Sequence, residues 1–350
     1  MSEISSLFKE ITSFHSPSGE EYRLRNFLKG KLVHNADKVE EDALGNLLLY
    51  KYARCGNSPE TIMLIAHMDE VAMMVTHIDE RGLIGVTKVG GVDASTMRGQ
   101  RVIILHEDKE ICGVIGTMPV HMLKDSNAPK EIDFKDLWVD IGVSTAELAK
   151  QKVAIGDYVL VDSSFCQLSN NCVSSKACDN KAGVTSLCYL FEKLSKCDNL
   201  EVNVVVVFSA QEEVGLRGAE VAAFNIKPSI CITIDEAHAS DYPNICVNKY
   251  GDIRIGDGPV VPIGTSFSSQ VQKAIMQVAQ KSGISFQRLA LPSFSGTEAT
   301  AVQTSGSGCF TGLVSIPCRY MHSPVEVVST EDIMNCANLL YKYIIQNWSL

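Results

Sequence analysis

Two near-continuous apolar runs, Thr61-Ile-Met-Leu-Ile-Ala66 and Val202-Asn-Val-Val-Val-Val-Phe208, stand between stretches of helical periodicity. Runs of this kind suit parallel strands covered on both faces. Gly45-Asn-Leu-Leu-Leu-Tyr50, Ser229-Ile-Cys-Ile-Thr-Ile234 and Phe310 to Ile316 read as further strands. Apolar spacing predicts helices over Glu3–Phe14, Lys181–Lys193 and Ser269–Lys281, and a last one capped near Ser329 or Thr330 and running towards Trp348. A second N-terminal helix is expected to open at Ser18, whose partner Glu21 three residues on makes a capping-box pattern after the turn His15-Ser-Pro-Ser-Gly19.

From Val71 to Phe165 the texture changes to short alternating segments such as Arg101-Val-Ile-Ile-Leu105 and Tyr158-Val-Leu-Val161, separated by Gly and Asp turns. The expectation is an α/β fold with a mixed, largely parallel sheet flanked by helices, interrupted by an all-β insertion: residues 1–70, 71–165 and 166–350.

A formal net charge of −10 with no overriding basic cluster argues against nucleic acid and anionic membranes as partners. The start Met1-Ser-Glu-Ile-Ser-Ser-Leu-Phe lacks a basic, apolar leader, and no later segment is apolar over about 18 residues, which places the chain in the cytoplasm. Twelve scattered cysteines without a C-x-x-C pair then read as reduced thiols, and the even spacing of Cys166, Cys172 and Cys178 matches no common zinc pattern.

In open α/β sheets, ligands bind beyond the carboxyl ends of the strands. Three predicted strands run into candidate ligands there: His67-Met-Asp69, Gln211-Glu212-Glu213 and Asp235. Asp179, just before a helix, and His322, after the Phe310 strand, sit in loops. Singly, each has an ordinary explanation: a hydrogen-bonded histidine, a helix N-cap, a solvated turn or a surface acid. Together, two imidazoles and three carboxylates suit a pair of zinc ions, with cobalt or manganese as alternatives, about 3.5–4 Å apart on a shared carboxylate.

Asp179 is the expected bridge, with His67 and Asp235 on one ion and Glu213 and His322 on the other. Two divalent cations against three carboxylates leave one positive charge, which a single hydroxide balances. Consecutive glutamates cannot readily point the same way. Glu212 is therefore assigned as general base beside the ligand Glu213, and Asp69 as the partner that orients His67. Gly90-Gly91 and Ser305-Gly-Ser-Gly308 lack phosphate-loop spacing and read as turns, and His238 reads as lining or surface.

Ala66-His-Met-Asp-Glu70, Asp179-Asn-Lys181, Gln211-Glu-Glu-Val-Gly-Leu-Arg-Gly-Ala219 and Arg319-Tyr-Met-His-Ser-Pro324 resemble the glutamyl/tetrahedral aminopeptidase family. The likeness extends to Ser16-Pro-Ser-Gly-Glu20, Leu44-Gly-Asn46 and Gly99-Gln-Arg-Val102, and so covers nearly the whole chain. It implies a zinc-peptidase-like catalytic domain interrupted by a β-barrel dimerisation domain. It also implies short peptide substrates and homo-oligomers, including hollow dodecamers built from dimers.

Three positions depart from the family pattern: Lys181 where arginine is usual, Ala72 for a common glycine, and Glu298 for a usual aspartate. Rival readings keep the metals but change the bond, as in carboxypeptidases and deacylases of N-acyl amino acids, or keep the fold as a non-catalytic peptide-binding shell. Some family members also carry the label endoglucanase.

Overall fold

The computed structural model describes residues 2–55, 60–118, 122 and 132–346. Its centre is a mixed sheet, eleven-stranded among the described residues. The middle of that sheet is parallel, in the order Asn203–Ser209, Thr61–His67, Ile230–His238 and Phe310–Arg319. Leu47–Lys51 pairs antiparallel beyond the first of these and Glu326–Ser329 beyond the last.

The near-continuous apolar runs are explained by burial on both faces. Ile62, Leu64 and Ala66 point into a core built with the helices Glu3–Thr12, Cys178–Leu194 and Thr330–Ile344. Met63 and Ile65 point into a second core with Ala219, Ala222 and Val302. Alternation of side chains along a strand makes this possible.

The alternating segments close into a six-stranded antiparallel barrel made of Ala72–Ile78, Ile84–Val89, Trp138–Asp140, Lys109–Ile115, Arg101–His106 and Tyr158–Val161. It carries its own apolar core, including Val75, Val86, Ile104 and Val159. An α/β fold with an inserted all-β barrel is thus borne out.

Several local expectations need correction. The second helix spans Tyr22–Leu32 without a side-chain cap, because Ser18 Oγ donates to Asp69 instead and Glu21 accepts from the backbone of Gly19 and Gln211. The first helix stops at Thr12, before Phe14. The strand predicted to end at Ile234 continues to His238 on nine parallel pairs with Phe310–Arg319. The final helix is capped by Ser329 and ends at Ile344; Trp348 lies outside the described residues. No described helix is long and apolar enough to cross a membrane.

Candidate active site

Parallel register pairs Ser209 with His67 and Thr233 with Ile65, so continuing it puts Asp235 level with His67. These three residues sit on the face shared with Met63, Ile65, Val205 and Cys231, at the carboxyl edge of the sheet. The loop after Ser209 is folded tightly. Gly215 and Leu216 donate to the Glu212 carbonyl, and Gly218 donates to that of Ala210. Asn46 grips both ends of this loop, accepting from Ala210 N–H and donating to the Gly218 carbonyl. A Cβ at Gly218 would lie 2.3 Å from Asn46 Oδ1, so only glycine fits.

Asp179 lies at the head of the helix Cys178–Leu194, where it and Asn180 are not helical and the peptide between them is cis. Its two oxygens face different histidines. Oδ1 is 3.1 Å from His67 Nε2, and Oδ2 is 3.3 Å from His322 Nε2. Asp235 Oδ1 lies 3.8 Å from His67 Nε2, and Glu213 Oε1 lies 3.2 Å from His322 Nε2. The residues expected from sequence therefore converge. His67, Asp179 and Asp235 form one group whose ligand atoms lie within 4.8 Å of one another, and Asp179, Glu213 and His322 form another. A third group, His67, Glu212 and Glu213, overlaps both.

Each imidazole is held from behind. His67 Nδ1 is 3.1 Å from the Asp69 carbonyl, and His322 Nδ1 is 3.0 Å from the Gly91 carbonyl. A carbonyl accepts only, so Nδ1 carries the proton and the Nε2 lone pair of each ring is turned towards carboxylates. That arrangement suits a divalent cation set between lone pair and anion.

The side chains alone would have to hold protons instead. Burial first, then the neighbouring carboxylates, push Glu212 up to about 10 against the pull of His67. Asp235 and Glu213 also rise, chiefly through burial. Burial opposes charge on His322, but its bonds to Asp179 and Glu213 outweigh that and drive it up to about 11. The donor set fits divalent metal better than a stack of buried protons.

The Asp69 carboxylate lies beside His67, its Oδ1 3.5 Å from Nδ1, and makes further contacts. Its oxygens accept the backbone N–H groups of Glu212 and Glu213 and the Ser18 hydroxyl, while its carbonyl serves His67. Sequence reasoning also missed Glu326. Buried at the start of its strand, it accepts from His322 N–H at 2.6 Å and from Asp179 N–H at 3.0 Å. An acid set in the apolar run Pro324-Val-Glu-Val-Val328 is the one local sign of it. Ala177, Gln211 and His322 all take left-handed backbone conformations beside or within the site, a clustering typical of functional segments.

Behind the site, Glu70 is fully enclosed with Lys176 and Lys181, its Oε1 2.7 Å from each Nζ. Lys181 Nζ also donates to the Phe14 carbonyl at 2.6 Å. Glu298 is buried too, taking the Ser209 hydroxyl on one oxygen and leaving the other without a partner among the described residues.

A cavity of about 240 Å³ opens onto the cluster. It runs from His67 and Glu212 to Leu289, Leu291 and Met321.

Comparison with known proteins points to one peptidase family. Residues 45–339 match the profile of the M42 glutamyl aminopeptidases. The chain is 32% identical to the lysyl aminopeptidase of Pyrococcus furiosus over 338 residues, covering 95% of this chain and 94% of the relative. It is 28% identical to the glutamyl aminopeptidase of Lactococcus lactis subsp. cremoris over 341 residues, covering 95% and 93%. An aminopeptidase of the archaeon Desulfurococcus kamchatkensis superposes with a TM-score of 0.91 at 31% identity, over 99% of this chain and 95% of that one. The TET1 peptidase of Pyrococcus horikoshii, which can assemble into a tetrahedron or a large octahedral shell, superposes at 0.87 and 29% identity, over 99% and 100%. With the family profile matched over residues 45–339 and 32% identity to a relative across 95% of its length, the chain belongs to the M42 glutamyl aminopeptidase family.

Proposed function

We propose that this aminopeptidase releases the first residue of short peptides with two divalent metal ions and Glu212 as general base. The observation that carries this reading is Asp179, whose two carboxylate oxygens each face a separate histidine Nε2. His67, Asp179 and Asp235 would hold one ion and Asp179, Glu213 and His322 the other. Imidazole and carboxylate donors suit zinc, and accept cobalt or manganese. Bound there, such ions polarise a carbonyl and lower the pKa of water enough for attack at neutral pH.

The chain's own residues then do the rest. Glu212 lies beside the cluster, its Oε2 3.9 Å from His67 Nε2, and as a carboxylate it takes the proton of the attacking water and passes it to the departing amine. Asp69 fixes where Glu212 stands through the backbone N–H.

The barrel within residues 71–165 is the proposed dimerisation domain between catalytic parts 1–70 and 166–350. A homo-oligomer of the dodecameric TET kind agrees with the shells formed by its structural neighbours. Twelve free cysteines fit a reducing, cytoplasmic setting.

Glu212→Gln tests the assignment. The variant should keep two ions per chain and lose about 10²–10⁴-fold in kcat on an amino-acyl p-nitroanilide. Loss of an ion would make Glu212 a ligand, as in the overlapping group with His67 and Glu213, and unchanged turnover would remove it from the chemistry.

A further inference from the structure

The cavity beyond the acid–histidine cluster has a wall of distinct chemistry. Leu289 and Leu291 face into it from the strand Gln287–Leu291, while the alternate residues Arg288 and Ala290 are exposed. The Arg288 guanidinium lies 5.9 Å from the Phe286 ring centre. Leu313 and Met321 complete the wall. Leu291 packs with Leu313, Phe267 and Ala299, and Leu289 with Ala237, Ile253 and Val260, so core packing sets the shape of this surface.

The polar groups near that wall are occupied or shut away. Ser295 Oγ is 3.0 Å from Thr297 Oγ1 and 2.8 Å from Thr300 Oγ1, a closed hydroxyl group. Arg319 is taken by both oxygens of Asp241. Glu236 borders the cavity, but both its oxygens are sealed from solvent. Apart from the exposed His238 imidazole and the Ser315 hydroxyl, which also line the cavity, the side opposite the cluster offers apolar contact and, among the described residues, no carboxylate or ammonium with a free face.

Resting on the aminopeptidase reading above, we propose that the preferred first residue is neutral and apolar, of leucine or methionine size, with its side chain against Leu289, Leu291, Leu313 and Met321. A cavity of about 240 Å³ is smaller than the roughly 300–1,000 Å³ of drug-sized clefts, and suits one side chain with the reacting backbone. A glutamate or lysine side chain placed against those four residues would surrender its water without meeting an opposite charge. This preference separates the chain from the glutamyl and lysyl specificities named for its relatives.

The test is a comparison of kcat/KM for leucyl, methionyl, alanyl, glutamyl and lysyl p-nitroanilides, each free and N-acetylated, with zinc-loaded enzyme. Leucyl and methionyl substrates with a free amine should lead the other three by about tenfold or more. Leu291→Arg should reverse the order of leucyl and glutamyl, and Leu289→Ala should narrow the leucyl-to-alanyl ratio. Preference for a charged residue in the wild type, or ratios unmoved in both variants, overturns the pocket assignment and leaves the aminopeptidase reading standing. Cleavage of N-acetylated substrates alone overturns that reading itself, and the pocket assignment with it.

Discussion

Asp69 accepts the backbone N–H of Glu212 at 3.0 Å. Its other oxygen takes the N–H of Glu213 at 3.2 Å and the Ser18 hydroxyl, so one buried carboxylate positions a proposed base and a proposed ligand together. In Asp69→Asn, an amide N–H group would confront one of these donors. We expect about 10–100-fold lower kcat/KM with both ions retained, read by steady-state kinetics beside metal analysis of the same sample.

Gly91→Ala should loosen one ion and spare the other. A Cβ there would stand 2.6 Å from His322 Nδ1, forcing the ring off the carbonyl that holds it. Calorimetric zinc titration of stripped protein should then show one site weakened by about 10–100-fold. Two unchanged sites would mean the barrel loop plays no part in holding His322.

Lys181→Met should destabilise the fold by about 3 kcal/mol, measured by urea unfolding, because it removes one of two cations from the enclosed Glu70 carboxylate. Lys181→Arg should also cost about 1–3 kcal/mol, since the position is fully buried and its neighbours must shift to take a bulkier guanidinium. A stability gain from arginine would show that the pocket adapts.

Glu298→Gln should change how stability depends on pH. Burial raises the Glu298 carboxyl from 4.5 to about 7. Between those values the unfolded chain gives up this proton while the folded chain keeps it, so the residue's contribution falls as pH rises through that window, by about 3 kcal/mol in all. The stability of Glu298→Gln relative to wild type should therefore climb by that order between pH 4.5 and 7 and level off above. Parallel curves for the two proteins would assign Glu298 an ordinary pKa.

The elements that carry the site were legible because strand signals are local: His67 and Glu212–Glu213 each follow an apolar run, and two-sided burial explains why those runs hardly alternate. Partners remote in sequence were not. Glu326 meets Asp179 across 147 residues and Gly91 meets His322 across 231, and no periodicity encodes such pairs. Ser18 carried a misleading local signal, since its capping-box pattern competes with a buried acceptor 51 residues away, and the buried acceptor wins. The left-handed backbone at Ala177, Gln211 and His322 falls on residue types that do not announce it.

The barrel's place in the chain also sets a chronology. A ribosome delivers His67 and then the whole insertion before Asp179 emerges, 112 residues later, and Gly91 waits far longer for the ring it holds. Synthesis proceeds from the N-terminus, and each domain folds as it becomes available. The barrel can therefore mature while the site has only His67 of its five proposed donors, so a nascent chain carries a finished barrel long before it can cut a peptide.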